Sequence, residues 1–423
     1  MQLQMPWGYK VMRKLKFEKG YYVSVIALLF TAFFITGCSR TEIVSGTDIS
    51  NFTAQTRNTT AAFGTVSVLR LYGDFSIQEN VDLFNATWQQ VLRILEELNS
   101  LFSLTVEDSE IVRFNNLHYG ETMEISHHMA RVVELAKKLH DATDGLFDPT
   151  IHPIVDLWGF TPRFNVARFQ PQYPFDRDQR HTLPDSQYIQ AFLNLVNFDG
   201  ILLQEDEYGN FTLTKNIPPV EVNGVIYQAK LDFGAILKGY ATDLVGQLLR
   251  EQGFEFGHFS AGGSSMYILN GMDIKEGGEY KLQLGLRRPR EGQTLASSFI
   301  RVAVSNTALS TSGDYSHMFF VDGVRYCHIF NTTTGWPVNT PATAGDQSGI
   351  AKISVFGEGG AFAEGLSTAL MALQPNDALQ IIDSLGYKAI LVYYTQGQDY
   401  FNVYTNVPLH LIEVLDPAFV LLD

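Results

Sequence analysis

Apolar residues recur at helical spacing between positions 81 and 101, at Leu83, Phe84, Trp88, Val91, Leu92, Leu95, Leu98 and Leu101, which predicts an amphipathic helix. Met129, Val132, Val133, Ala136 and Leu139 repeat that spacing and predict a second helix over 126–141. A third is expected over 236–252, with Gly253 as its stop. The stretch "GAFAEGLSTALMALQ" (360–374) reads as a buried helix. Strand patterns alternate with these. "FGTVSVLRLYGD" (63–74) carries Val66 and Val68, with Leu69 and Leu71 beside them. A helix and then a hairpin are expected over 186–230, and strands separated by glycine turns follow residue 253. "VDGV" (321–324) is a hairpin turn. Residues 144–160 predict a loop with a short apolar segment, and 161–185, rich in Pro, Arg and Phe, an irregular insertion. No solenoid repeat is present. Strands that pair at short range with helices between them place the chain in the α/β class, of the α+β type with mixed sheets and packed helices.

The N-terminus breaks this pattern. Lys10, Arg13, Lys14, Lys16 and Lys19 precede the apolar run "YYVSVIALLFTAFFI" (21–35), and "ITGC" (35–38) has the form of a bacterial lipobox. The run is short for a bilayer span, so a signal peptide over 1–37 with lipid on Cys38 is the expectation, against a transmembrane anchor. Polar residues 39–60 then read as a tether, within a segment bounded 38–60. The folded body is expected over 61–423. The 423 residues are 45% hydrophobic and carry a net charge of −15. An acidic chain without a basic stripe repels nucleic acid. A polyanionic ligand would therefore be gripped locally, by a metal ion or a helix N-terminus. Two cysteines, Cys38 and Cys327, exclude a disulfide framework and a Cys-rich zinc site.

Four stretches carry candidate chemistry. In "LDFGAILKGYATD" (231–243), Asp232 ends an apolar run, Gly234 lets the backbone approach a ligand, and Lys238 stands at the mouth of a helix. A helix N-terminus with an added ammonium suits phosphate, although a surface lysine after a turn has the same appearance. The stretch is neither a Walker A loop nor a Rossmann fingerprint. In "HFSAGGSSMYI" (258–268), Gly262 and Gly263 make a tight turn that permits close approach of a flat ligand or a phosphate. In "ALSTSGDYSHMFFVDGVRYCHIFNTTTGWPV" (308–338), Ser310, Thr311, Ser312, Gly313 and Asp314 crowd polar groups at a turn. His328 there is either a general base or a satisfied core histidine, with His317 as a weaker competitor. In "FAEGLSTAL" (362–370), Glu364 and Thr368 share one helix face. Hard oxygens of this kind suit Mg²⁺ or Ca²⁺, while an acidic residue early in a helix also needs no ligand to explain it.

Taken in order, "FGT", "DSEIVRFN" (108–115), "GLFDPTIHPIVDLWGF" (144–160), "LDFGAILKGYATD", "AGG", "STSGDY", "HIFNTTTGWPV" and "AEGLSTAL" resemble the ApbE family of FAD:protein FMN transferases. The resemblance runs from about Phe63 to about Leu409. It implies an ApbE-like, T-fold-like architecture on the outer side of a bacterial cytoplasmic membrane. It also implies FAD as substrate, Mg²⁺ as cofactor, and transfer of FMN to a Ser or Thr hydroxyl of a target protein with release of AMP. The implied acceptor bears a Ser/Thr-Gly-Ala-Thr type motif, in a subunit of a membrane redox complex.

Carried over by position, the resemblance gives flavin contacts to Phe63, Phe147, Asp148, Asp232, Lys238, Gly262, Gly263 and Phe330. Metal ligands would be the carbonyl of Ala235 with Glu364 and Thr368, and His328 would be the catalytic base. The chain departs from the family pattern in Glu364 for Asp, Asn331 for the Asp of His-x-x-Asp-Pro, Thr105 for a Tyr and Ser264 for an Asp. Two alternatives share these residues: a Mg²⁺-dependent FAD pyrophosphatase, and a lipid-anchored flavin-binding protein without catalysis.

Overall fold

The computed structural model describes residues 49–160, 183–276, 278–290 and 298–422. The signal peptide, the expected lipidation site Cys38 and most of the 161–185 insertion lie outside the described residues.

A nine-stranded sheet organises the fold. Its strands are β1 (Thr53–Thr59), β2 (Ser67–Gly73), β3 (Gly257–Ala261), β4 (Ser265–Ile268), β5 (Thr307–Gly313), β6 (Gly349–Gly357), β7 (Lys388–Tyr394), β8 (Phe401–Thr405) and β9 (Phe419–Leu421). They lie side by side in chain order. Every neighbouring pair is antiparallel except β8 with β9. Long excursions leave this meander between β2 and β3 and between β6 and β7, and they carry the helices α1 (Gln78–Phe102), α2 (His127–Ala142), α3 (Leu237–Glu251) and α4 (Gly360–Ala369).

Successive side chains of a strand point to opposite faces, and the central strands use both. In β7, Ala389 and Leu391 join the core under the helices, while Ile390 and Val392 join a second core. That second core is closed by a smaller sheet of strands 274–276, 279–287, 298–304 and 412–414, through Phe299, Ile300 and Val302. The architecture is thus helices, large sheet and small sheet in three layers. Each large apolar side chain fully buried this way contributes about 1.5–3 kcal/mol.

Helix α1 buries Phe84, Trp88, Val91, Leu95, Leu98 and Phe102 along one stripe, as the spacing predicts. Its start is three residues earlier than expected. Helix α2 matches its expectation and is fixed at its N-terminus by Ser126, whose hydroxyl accepts from the Met129 amide at 3.1 Å. Both hairpin signals hold. Asp322-Gly323 and Asn223-Gly224 adopt positive φ in two-residue turns.

Four expectations change. Residues Thr53–Thr59, placed in the tether, form β1 and pair along their whole length with β2. This edge strand is polar, so it lacks the apolar alternation that reveals a half-buried one. The strand expected over 63–74 starts only at Ser67, because Phe63 and Gly64 both have positive φ, and its inward residues are Leu69 and Leu71, not the exposed Val66. Segment 149–157, read as loop, is a turn of 3₁₀ helix running into a short α-helix, His152–Leu157. The helix expected over 360–374 ends at Ala369 and tightens to 3₁₀ over Leu370–Ala372.

Candidate active site

Helices α3 and α4 come closest where Gly239 meets Gly360. A Cβ on Gly239 would lie 2.1 Å from the Gly360 carbonyl oxygen, so only glycine permits this approach. The crossing brings each helix start to an acid on the other. Asp243 of α3 accepts from the amides of Gly360 and Ala361 at 2.5 and 2.9 Å. Glu364 of α4 accepts from the Gly239 amide at 2.7 Å. Neither helix has a side-chain cap of its own, so each acid supplies the partner that the other helix's first N–H groups need. Burial pushes the Asp243 carboxyl up to about 6, against the pull of those two amides and with the Glu364 charge adding to the rise. Asp243 was missed in the sequence, although it lies one turn beyond Gly239 on the same helix.

Glu364 is 3% exposed. Its Oε1 is paired with the ammonium of Lys238, which also donates to the Gly234 carbonyl at 3.3 Å. Thr368 donates back to the Glu364 carbonyl at 3.1 Å and shares a hydrogen bond with Ser312 of β5 at 2.9 Å. The Gly239 N–H, whose helical partner would be the Ala235 carbonyl, goes to Glu364 instead. Among the described residues no backbone N–H caps the Ala235 carbonyl. Glu364 and Thr368, one turn apart on α4, and the uncapped Ala235 carbonyl just before α3 are hard oxygen donors, and that chemistry fits Mg²⁺. No group of three or more His, Cys, Asp or Glu side chains forms a metal cluster among the described residues. The extra methylene of Glu364, relative to the family's Asp, goes with a carboxylate that reaches both Gly239 and Lys238.

His328 follows the strand Val324–Cys327. Its backbone N–H and its Nδ1 both meet the His317 carbonyl, at 3.0 and 3.3 Å. A ring N–H held by a carbonyl leaves the lone pair on Nε2. The His317 ring stands edge-on to it at 5.1 Å, and Phe160 packs at 6.4 Å. Burial, then the His317 ring, then the Lys238 charge press the His328 imidazole down to about 3. Burial and Lys238 also lower His317. Both histidines thus lie within electrostatic reach of Lys238. The neighbouring thiol of Cys327 is fully enclosed and pushed up to about 12 by burial, so it is inert.

Asp232 sits on the approach to α3. Its amide donates to the Pro149 carbonyl at 3.0 Å and its Oδ1 accepts from Gly234 at 2.7 Å. Burial raises its carboxyl, but the neighbouring His152 ring, the Gly234 amide and Lys238 together hold it below the ordinary value. Asp148 is engaged differently. Its Oδ1 accepts from the Thr150 amide at 2.8 Å and the Thr150 hydroxyl at 2.5 Å, and its Oδ2 accepts from Phe198 at 3.2 Å. Both oxygens of this expected flavin contact already accept hydrogen bonds within the fold, from Thr150 in the same loop and from Phe198. Phe147 is buried beside it, and its carbonyl meets His140 Nδ1 at 2.9 Å.

The remaining expected residues lie in loops and turns. Gly262 and Gly263 have φ near +68° and +66° in the β3–β4 turn, and the Gly262 amide donates to Val66, next to Phe63. Ser264 of that turn accepts from Thr311, whose neighbour Ser312 meets Thr368. Phe330 packs on Trp158 and Phe160. Asn331, in place of the family's Asp, still accepts from the amides of Thr333 and Thr334 at 3.0 and 3.1 Å, so the turn survives the lost charge. Thr105 is exposed and hydrogen-bonded to Ser103.

The three-layer mixed α/β fold is that of solved flavin transferases. It superposes on "Flavin Transferase ApbE from Vibrio cholerae" with a TM-score of 0.63 at 23% identity, covering 84% of this chain and 98% of that one. The Pseudomonas stutzeri flavinyl transferase ApbE in its apo form gives 0.62 at 24% identity, covering 84% and 95%. The model of the ApbE family matches residues 63–391, and the chain belongs to that family. Among relatives, proteins named FAD:protein FMN transferase from Vibrio cholerae and Haemophilus influenzae are 27% and 28% identical. They cover 75% and 74% of this chain and 81% and 79% of their own lengths.

Proposed function

We propose that this chain is a Mg²⁺-dependent FAD:protein FMN transferase. It would move FMN from FAD to a Ser or Thr hydroxyl of an acceptor protein and release AMP. The observation that carries the reading is the buried Glu364 carboxylate held at the first turn of α3 by Lys238 and the Gly239 amide, with Thr368 one turn on along α4. The names of its relatives support the same activity.

Ala235, Glu364 and Thr368 would hold the cation, which when bound neutralises diphosphate charge and eases departure of AMP. Lys238 would turn from Glu364 to a phosphate oxygen, and the α3 N-terminus would add its partial positive charge. His328 would take the acceptor hydroxyl proton at Nε2. The hydroxyl oxygen then bonds to the FMN phosphorus, the diphosphate bridge breaks, and AMP carries away the displaced oxygen. A bound diphosphate next to His328 raises its basicity, reversing the effect of Lys238. Phe63, Phe147 and Phe330 would offer apolar and ring surface to the flavin, Gly262 and Gly263 close backbone approach, and Asp232 a polar contact. Asp148 would serve by shaping the loop. Lipid on Cys38 would hold the enzyme at the extracytoplasmic face of the bacterial envelope, within reach of a membrane redox complex subunit.

The test is incubation of the chain with FAD, Mg²⁺ and an acceptor domain bearing a Ser/Thr-Gly-Ala-Thr motif. Flavin fluorescence on the acceptor in a denaturing gel, with one AMP per FMN transferred, is the expected result. Free FMN with a dark acceptor would instead mean hydrolysis. No AMP with any divalent metal would leave only flavin binding.

A further inference from the structure

His152 opens the short helix His152–Leu157 and is 5% exposed. Its Nε2 lies 3.4 Å from Asp156 Oδ2, one helical turn on. Its Nδ1 faces Asp232 Oδ2 at 3.5 Å. Asp156 also takes the ammonium of Lys230 at 3.5 Å. These four groups form a line of alternating charge and imidazole, from Lys230 at the surface to Asp232 at the mouth of α3.

The geometry on the Asp232 side is slack. His152 Nδ1 is buried yet completes no hydrogen bond. A buried nitrogen 3.5 Å from a carboxylate but short of hydrogen-bond geometry is destabilising, and an apolar side chain of similar size would avoid that. Packing alone therefore does not account for a histidine here. Asp232 has its Oδ1 fixed by Gly234 and its amide by Pro149, which leaves Oδ2 as the oxygen that His152 can steer. Contacts that are long without ligand commonly tighten when ligand arrives.

We propose that His152 is a positioning residue. It would orient the Asp232 carboxylate for the flavin nucleotide through Nδ1, while Asp156 anchors the ring through Nε2. This deepens the reading of Asp232 as a flavin contact and rests on it.

The two ring nitrogens can be tested apart. Asparagine places an amide donor near the position of Nδ1, and glutamine places one near Nε2. H152N keeps the donor toward Asp232, H152Q keeps only the one toward Asp156, and H152L keeps neither. FAD affinity is read in the full chain by quenching of flavin fluorescence, and folding by thermal melting. H152N should stay within about threefold of the parent, whereas H152Q and H152L should each lose about tenfold, the effect of one hydrogen bond to a charged group. H152N and H152Q should melt together. Equal FAD affinity in H152N and H152Q, or losses that simply follow the melting temperature across the three variants, would overturn the proposal. D232A separates the two layers. If D232A binds FAD as the parent does, the flavin role of Asp232 fails. If D232A weakens binding while H152Q does not, only the role of His152 fails.

Discussion

Asp148 and Glu364 are carboxylates of similar burial, 7% and 3% exposed, and both sit in stretches that resemble ligand-binding motifs. Their partners differ. Asp148 accepts from the Thr150 and Phe198 amides and from the Thr150 hydroxyl two residues on, with the His140 ring, itself tied to the Phe147 carbonyl, 3.8 Å from its Oδ2. Glu364 is balanced by one backbone amide and by the ammonium of Lys238, which rides on a flexible stem. A buried acid is open to a cation when the group neutralising it can leave. By that measure we propose Glu364 for the site and Asp148 for the scaffold.

The largest expected difference comes from removing the charge at each position. E364Q should lower Mg²⁺-dependent FMN transfer by at least about 100-fold, since it removes the one carboxylate of the donor set, with a small change in melting temperature. D148A should do the reverse. Three accepted hydrogen bonds are lost and their donors stay buried, which costs about 2–4 kcal/mol of folding stability, while Mn²⁺ affinity measured by calorimetry stays near that of the parent. If D148A loses cation affinity as severely as E364Q, the division between site and scaffold is wrong.

G239A probes what couples the two. The added Cβ meets backbone of α4, not a yielding side chain, so the helices must separate at a cost of about 1–3 kcal/mol. Because that separation draws Glu364 from Gly239, cation affinity should fall together with stability. Melting and calorimetry on one variant check both.

The pH effects are smaller, and their signs differ. Asp243 holds its proton to about pH 6 in the folded protein, against an ordinary value of 3.8. The native state therefore binds more protons than the unfolded chain between those values, and stability falls as pH rises through that window. D243N should flatten this slope in melting curves. His328 is depressed from 6.5 to about 3, so its contribution is present above pH 6.5 and is lost as pH falls toward 3. Its ring resonances should not titrate between pH 5 and 8 in the ligand-free protein, and a midpoint near 6.5 in the NMR spectrum would contradict that depression.

Much of this was legible in the order of residues. The stripe of α1, the extent of α2 and the Asp-Gly hairpin turn follow from spacing and turn chemistry that act locally. Glu364 and Thr368 share a helix face for the same reason. What stayed hidden depends on groups distant in the chain. The pairing of Asp243 with α4 spans 117 positions and leaves no local trace, and β1 is polar because an edge strand buries little. His152 lay inside a recognised stretch, but its meaning comes from Asp232, which only the fold brings to it. The partners of Asp148 were hidden for a related reason. A carboxylate in a motif has the same letters whether its oxygens face a ligand or its own loop.

The most direct test is the position of Mn²⁺ by anomalous scattering in crystals grown with FAD. The account predicts one strong peak bounded by Glu364, Thr368 and the Ala235 carbonyl, with the Lys238 ammonium moved off Glu364 toward the diphosphate. A peak elsewhere, or FAD bound with the Lys238–Glu364 pair intact and no metal beside it, would contradict it.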